Sequence, residues 1–582
     1  MDFACQLVYY PYMASIVGKK RGNQTYYYLV ESARVNGKPR IVAQEYLGSA
    51  QEVMDRLSGA PAGRPERTQH KGFGGLAAVW GILDRLGVAE AIDEVCGSRR
   101  SDAGASVGTY LALATANRVV APCSKLGFEQ WWATTAGPRF TKVPVAAVDH
   151  RRFWDAMDHL DTAKLAAAEA KIAATMVAEF GLDLSGLALD MTNFATFIDS
   201  TNERAPIAKR GHAKQKRNDL RLVGLALVVT RDGAIPVTSH AYPGNRPDVT
   251  QFGAVLDELT TRYTALFDNN DNQDKTPARP TVVFDAGQNS AANFAHLTDA
   301  GLHYVGSLPP SSLPDLLAVP ARRRHPVDLD KYPGLSAYDT HAMVFGEDRR
   351  VVLTHSTNLH IKQAAGFDQT LTKTTRELGE LAATLARGKT RRLPDAVQAN
   401  IDTITRPRWV TRVLTTQLTG TTPATMRLTW AIDPTARKAL ETEIFGKRLL
   451  VTDHDDWTIA QVVAGYRSQN DVESGFRQLK DPHVVGFSPM FHWTESKIRV
   501  HVFYCVLALA VAHLMRRQAH QAGLDLSVRQ LLTNLAGIQE TVLLYPTGNK
   551  GRPRAQRILT DTDPTQARLF DLFDLDKYAP RR

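Results

Sequence analysis

The chain has 582 residues, 43% of them hydrophobic and 22% charged, with 70 Lys and Arg against 60 Asp and Glu for a net charge of +10. That length exceeds what one hydrophobic core organises, and the composition excludes wholesale disorder, so two to four folded domains are expected. The positive balance suits a polyanionic partner, and the four cysteines, Cys5, Cys96, Cys123 and Cys505, are too dispersed for a zinc site or a disulfide framework, which fits a reducing cytoplasm.

From Ala14 to Gly48, β-rich runs alternate with turn chemistry, including the hairpin-favouring pair Asn36-Gly37. A three-stranded meander within residues 1–57 is expected. Its first turn sets Lys19, Lys20 and Arg21 beside Tyr26, Tyr27 and Tyr28, an arrangement open both to gripping phosphates and to being a solvated basic turn. Residues 58–71 are rich in Gly, Pro and Arg and read as a linker. Helical periodicity follows, with Leu76, Val79, Trp80, Leu83 and Leu86 on one face and a second long pattern over 161–180. Residues 72–182 are therefore expected to be helical, either as a DNA-binding region or as a packing bundle.

The text changes at Leu187. "LALDMTNFATFID", "LRLVGLALVVT" and, after Asp232-Gly233, "AIPVTSHAY" read as three antiparallel strands. A helix over 249–266, the strand "TVVFD", another helix and the strand "HYVGSL" complete the order strand, strand, strand, helix, strand, helix, strand. This is the connectivity of an α/β, RNase H-like catalytic core, a mixed sheet in which an antiparallel meander joins parallel strands through helical crossovers. The core is expected over 183–310, interrupted by a β-rich insertion over 311–445, and resumed over 446–520 with a C-terminal region at 521–582. Within the insertion, "RRVVLTH", "PRWVTRVLTT" and "TMRLTWAID" read as strands and "TLTKTTRELGELAATLARG" as a helix. The apolar run Val502–Ala512 is too short for a bilayer core of ~30 Å, which takes about 20 residues, and reads as a buried helix. No basic-then-apolar leader opens the chain, so no membrane partner is expected and localisation is read as cytoplasmic, near the nucleoid.

Three carboxylates fall where this topology can gather them. Asp190 lies in the first core strand and Asp285 ends the fourth, and these strands are neighbours. Glu473 lies in the helical stretch "TIAQVVAGYRSQNDVESGFRQLK". At about 100° per residue, Tyr466, Glu473 and Lys480 drift only about 20° per seven residues and share one helix face, flanked by Gln469. Two or three carboxylates with phosphate oxygens can hold a pair of Mg²⁺ or Mn²⁺ ions ~3.5–4 Å apart.

The run "YRSQNDVESGFRQLK" is similar to the Y-x2-R-x3-E-x6-K signature of DDE-type insertion-sequence transposases of the cut-and-paste subgroup. "LALDMTNFATF", "VTSHAYPGNRPD" and "VVFDAGQNS" resemble the segments around the first two acids of that family, and "TESKIRVHVFYCVLALAV" and the N-terminal meander resemble other parts of it. The resemblance implies that Asp190, Asp285 and Glu473 are the catalytic, metal-binding triad with two Mg²⁺ or Mn²⁺ ions, and that Tyr466 and Lys480 contact transposon-end phosphates. It implies metal-dependent cleavage of transposon ends and strand transfer, acting on terminal inverted repeats and target DNA as a homodimer. Where the signature has Arg this chain has Gln469, which lacks a guanidinium fork. Arg467 or Arg477 is the candidate substitute, and hairpin formation at the cut ends is left open. A large β-rich insertion is also implied, and 188 positions separate Asp285 from Glu473. Trp409 and Trp430 in it are open to two readings, a platform for an extruded base and core packing.

The basic cluster Lys209, Arg210, Lys214, Lys216 and Arg217 lies between the first two core strands and is expected to contact DNA phosphates. Arg499 and His501 are open to facing the groove, His501 equally to a structural role. Two rival functions remain: an RNase H-like nuclease without strand transfer, and a catalytically inactive transposase-derived DNA-binding protein.

Overall fold

The computed structural model describes residues 13–22, 24–35, 38–57, 65–97, 104–214, 217, 219–268, 279–388, 392–545 and 554–581. Two compact units emerge: residues 1–71 with 539–560 and 580–582, and residues 72–538 with 561–579.

In the first unit, Met13–Arg21, Gln24–Val35 and Lys38–Ser49 form the expected antiparallel meander. Lys19 lies across from Tyr26, and its ammonium sits 4.8 Å from the Tyr28 ring and bonds Gln44. The Asn36-Gly37 turn lies outside the described residues. The stretch expected as a linker contains a strand, Arg67–Gly72, in a second three-stranded sheet with Gln539–Tyr545 and Arg554–Leu559.

The second unit begins with seven α-helices between Gly74 and Phe180, as the periodicity requires. Their ends follow local chemistry. Asp161 accepts from the Lys164 amide to start Thr162–Phe180, and Gly181 closes that helix in the left-handed conformation. These helices are not a separate module, because Val107–Val120 and Thr162–Phe180 pack against the later helix Glu495–Gln521. That helix has the length and hydropathy of a membrane span, but 94% of its apolar window is buried inside the protein, as a core helix would be.

The main sheet has nine strands: β1 (Gly186–Thr196), β2 (Arg221–Thr230), β3 (Pro236–Pro243), β4 (Thr281–Phe284), β5 (His303–Leu308), β6 (His325–Pro326), β7 (Leu335–Val344), β8 (Glu347–Ser356) and β9 (Lys447–Thr452). Their spatial order is β6-β7-β8-β9-β5-β4-β1-β2-β3. β1, β2 and β3 form the antiparallel meander, whereas β1, β4 and β5 run parallel. Helices Phe252–Asp268 and Ala291–Asp299 make the crossovers before and after β4. Both central strands β1 and β2 are buried almost throughout, which is why they read as near-continuous apolar text.

The segment 311–445 departs from expectation. It holds more helix than strand, dominated by Thr357–Ala386, Pro394–Thr405 and Pro434–Ile444. Its strands β7 and β8 do not form a body of their own, because β8 pairs with β9 and β9 with β5, extending the main sheet. Among the described residues of this segment, only the hairpin Leu414–Thr419 and Arg427–Ile432 stands as a separate two-stranded sheet. Short β-branched runs mark these strands in the text, but Thr-rich stretches of the 30-residue helix hide its length.

Candidate functional site

Parallel pairing sets the first two acids level. Gly186, Leu187 and Ala188 of β1 face Thr281, Val282 and Val283 of β4, and the same step continued by two residues brings Asp190 opposite Asp285. Asp285 is the first residue beyond β4 and opens the short turn Ala286–Gln288. Its Oδ1 accepts from the Ser307 hydroxyl of β5 at 2.6 Å and from the Tyr466 hydroxyl at 3.2 Å. Ser307 Oγ in turn accepts from the Ala286 amide at 3.1 Å. The carboxylate is therefore oriented from two sides while remaining exposed.

The helix expected to carry Tyr466, Glu473 and Lys480 on one face is broken. Ser468 closes α1 (Ile459–Arg467) and opens α2 (Gln469–Lys480), and its hydroxyl donates to Gly465 O at 2.6 Å. Tyr466 thus belongs to α1, where Arg448 also donates to its hydroxyl at 3.2 Å. α2 lies along β1 and is fixed at both ends. Gln469 Nε2 donates to Leu189 O at 3.0 Å, and Lys480 Nζ donates to Thr192 Oγ1 at 2.7 Å. Glu473, one turn beyond Gln469, is exposed between these anchors.

Asp285, Glu473, Ser307 and Tyr466 line one cleft of about 790 Å³. Asp190 sits half-buried beside it, and its carboxyl is pushed up to about 6, chiefly by burial, with Glu473 and Asp285 adding like-charge repulsion. The Met191 amide and Lys214 oppose that shift. Tyr466 is raised by burial and by Asp285, whereas Lys480 is lowered by burial and by Lys214. The three acids are not drawn into a tight knot. Among the described residues, the trio whose ligand atoms all lie within 4.8 Å of one another is His303, Asp453 and His454.

The remaining expected contacts divide. Gln469 is buried, 5% exposed, and lines the cleft while its amide holds β1 through Leu189 O. Arg467 lines the cleft and lies 4.3 Å over the Tyr332 ring. Arg477 is exposed on α2. Of the basic loop, Lys214 reaches the site, donating to Met191 O and pairing with Asp248 at 3.0 Å. Arg217 pairs with Asp219 at 2.7 Å, Lys209 and Arg210 line a different depression, and Lys216 lies outside the described residues. His501 is buried and bonded to Phe487 O and the Tyr504 hydroxyl, which makes it structural. Arg499 bonds Glu495 and Ala241 O.

Trp409 lines the cleft while packing on Phe367 and Phe445, and Trp430 packs against the core. Sequence reasoning missed Ser307, and it also missed the cations Lys362, Arg408 and Arg448 on the cleft wall. Ser307 carried a faint signal, since it lies in the strand next to the one ending in Asp285. Lys362 and Arg408 carried none, because they reach the cleft only through the folding of 311–445 onto the sheet, whereas Arg448 reaches it from β9.

No family model matches the sequence, and no curated protein matches it. Among solved structures, the fold is similar to a piggyBac transposase synaptic complex with hairpin DNA, over 81% of this chain and 82% of that one, at 10% identity and a TM-score of 0.35.

Proposed function

We propose that this chain is a DNA transposase of the DDE type, built on an RNase H-like core, which cleaves the ends of its element and joins them to target DNA. The reading is supported by Asp285 and Glu473, from a strand end and a distant helix, lining one cleft, with Asp190 of the neighbouring parallel strand near enough beside it for both to act on its carboxyl. The five-strand order β3-β2-β1-β4-β5, with its parallel and antiparallel relations, supports the RNase H-like assignment.

The donor set suits hard divalent cations. All three side chains offer carboxylate oxygens, and their like charges crowd Asp190 in a way a cation would relieve. A spacing wider than a single-ion knot is what two ions ~3.5–4 Å apart require. Asp190, Asp285 and Glu473 would therefore hold Mg²⁺ or Mn²⁺, which supplies Lewis acidity to activate water or a 3′-hydroxyl and to stabilise the leaving oxygen.

The protein's own groups do the positioning. Ser307 and Tyr466 orient Asp285, and Gln469 and Lys480 hold α2 so that Glu473 faces the cleft. Lys362, Arg408, Arg448 and Arg467 give the cleft wall positive charge suited to duplex phosphates. Lys480 and Lys214, both near Asp190, suit the phosphate nearest the scissile bond. Inverted-repeat ends and target duplex are the proposed substrates, and pairing of two ends calls for a homodimer on DNA.

The test uses purified protein, duplexes carrying the flanking ends of its own gene, and Mg²⁺ or Mn²⁺. Nicking that leaves a 3′-hydroxyl, followed by joining of a precleaved end to a target duplex, is expected. Cleavage without joining would make the protein a nuclease, and DNA binding without either would make it an inactive relative.

A further inference from the structure

A second cluster of ligating side chains lies at the opposite end of the strands that carry the acids. His303 opens β5, and Asp453 and His454 follow β9, which pairs antiparallel with β5. One ligand atom from each of the three lies within 4.8 Å of the others. His303 is four residues from Ser307 along one strand, or about 13 Å, so this group is separate from the acid cleft.

We propose that His303, Asp453 and His454 form a transition-metal site, of the zinc class, which clips β9 to β5. His303 Nδ1 and Asp453 Oδ2 are in hydrogen-bond contact at 2.8 Å, and bonds of ~2.0–2.2 Å to one tetrahedral ion would part them only to roughly 3.3–3.6 Å. Two imidazoles with one carboxylate are borderline donors that favour zinc, cobalt or nickel over the magnesium suited to the all-oxygen cleft.

The surroundings supply the outer contacts that such sites need. His454 is buried, its ring stacks on Trp457 at 3.8 Å and 9°, and its Nε2 meets the Thr281 hydroxyl at 2.8 Å. With Nε2–H donating there, Nδ1 would keep its lone pair for a metal. Asp456 stands 3.6 Å from that Nδ1, in reach of a fourth position. The second oxygen of Asp453 accepts from the Tyr304 amide at 2.9 Å, which fixes the carboxylate. The His303 and His454 rings are 4.5 Å apart, and Arg350 pins the backbone of the loop through His454 O and Trp457 O.

The position gives the clip a consequence. β9 is the strand by which the chain returns from 311–445 to the core, and α1 and α2, with Tyr466 and Glu473, follow directly. A metal holding Asp453 and His454 to His303 would fix where that return is anchored.

The test is zinc retention by full-length protein carrying Asp190→Asn, Asp285→Asn and Glu473→Gln, so that the acid cleft cannot contribute. After exposure to Zn²⁺ and dialysis against excess Mg²⁺, elemental analysis should find about one zinc per chain, and Co²⁺ in its place should give visible absorption bands. His303→Gln, at a half-exposed position, should lower retention to background with an unchanged circular dichroism spectrum. Thr281→Val should weaken binding about 10–100-fold. No retained zinc in the parent, or equal retention in His303→Gln and Asp453→Asn, would overturn the site. Because the acids are already removed, either result leaves the transposase reading untouched.

Discussion

The two ends of β4 and β5 hold ionisable groups in opposite ways. Past their C-terminal ends, Asp285 and Glu473 are exposed in an open cleft and Asp190 lies beside them, all oxygen donors with repelling charges. At their N-terminal ends, His454 is buried, stacked and hydrogen-bonded, and His303 is paired with Asp453. One end sets a partly buried acid and two exposed ones beside a basic wall, and the other satisfies its groups locally. The contrast teaches that the open end leaves its acids facing solvent and a basic wall, while the closed end fixes its groups through their neighbours.

The sharpest way to separate the two ends is Ser307→Ala. It removes a bond to Asp285 without touching the histidine cluster, and it should slow nicking about 10–100-fold, as loss of a ligand-orienting contact does. Unchanged nicking, measured as initial rates on end duplexes, would break the claim that Asp285 must be oriented. A smaller effect is expected of Gln469→Ala, which leaves Leu189 O unpaired and should cost about 1–3 kcal/mol in denaturant unfolding. DNA affinity should stay near wild type, whereas a large loss of affinity would restore a phosphate-contact role to Gln469.

Lys480→Ala should weaken DNA binding evenly across sequences and lower the slope of log K against log salt by about 0.9. The smallest effect expected is one of pH. The Asp190 carboxyl is raised to about 6 in the fold against 3.8 for the unperturbed group, so its ionisation opposes folding as pH rises from about 4 to about 6, and the penalty persists above that. Asp190→Asn should therefore melt higher than wild type at pH 8 without divalent ions, with the gap closing near pH 4. A gap that grows on acidification would contradict the burial that raises this carboxyl.

Much of this was legible in the text because it depends on strand periodicity and on acids at strand ends. The order of elements from β1 to β5 follows from local patterns, and β1 and β4 were recognisable as neighbours. The break at Ser468 was not, since a serine within a helical pattern gives no warning that one helix ends and the next begins there. Tyr466 and Glu473 still line one cleft across that break, and Lys480 reaches Thr192 on β1. The cleft wall was hidden for another reason. Lys362 and Arg408 reach it through long-range folding of 311–445, whose β7 and β8 extend the main sheet instead of closing on themselves. Charge in an isolated stretch of sequence does not reveal which surface it will meet, and Arg217, paired with Asp219, shows the converse error.

The central claim, that Asp190, Asp285 and Glu473 act together on divalent ions, is tested most directly by replacing each with Cys and measuring nicking of end duplexes in Mg²⁺ and in Mn²⁺. Sulfur is a poor ligand for Mg²⁺ and a better one for softer ions, so all three variants should lose about 10²–10³-fold or more in Mg²⁺, with activity partly recovered in Mn²⁺ at the ligand positions. Wild-type nicking in Mg²⁺ by any one of the three would contradict the account.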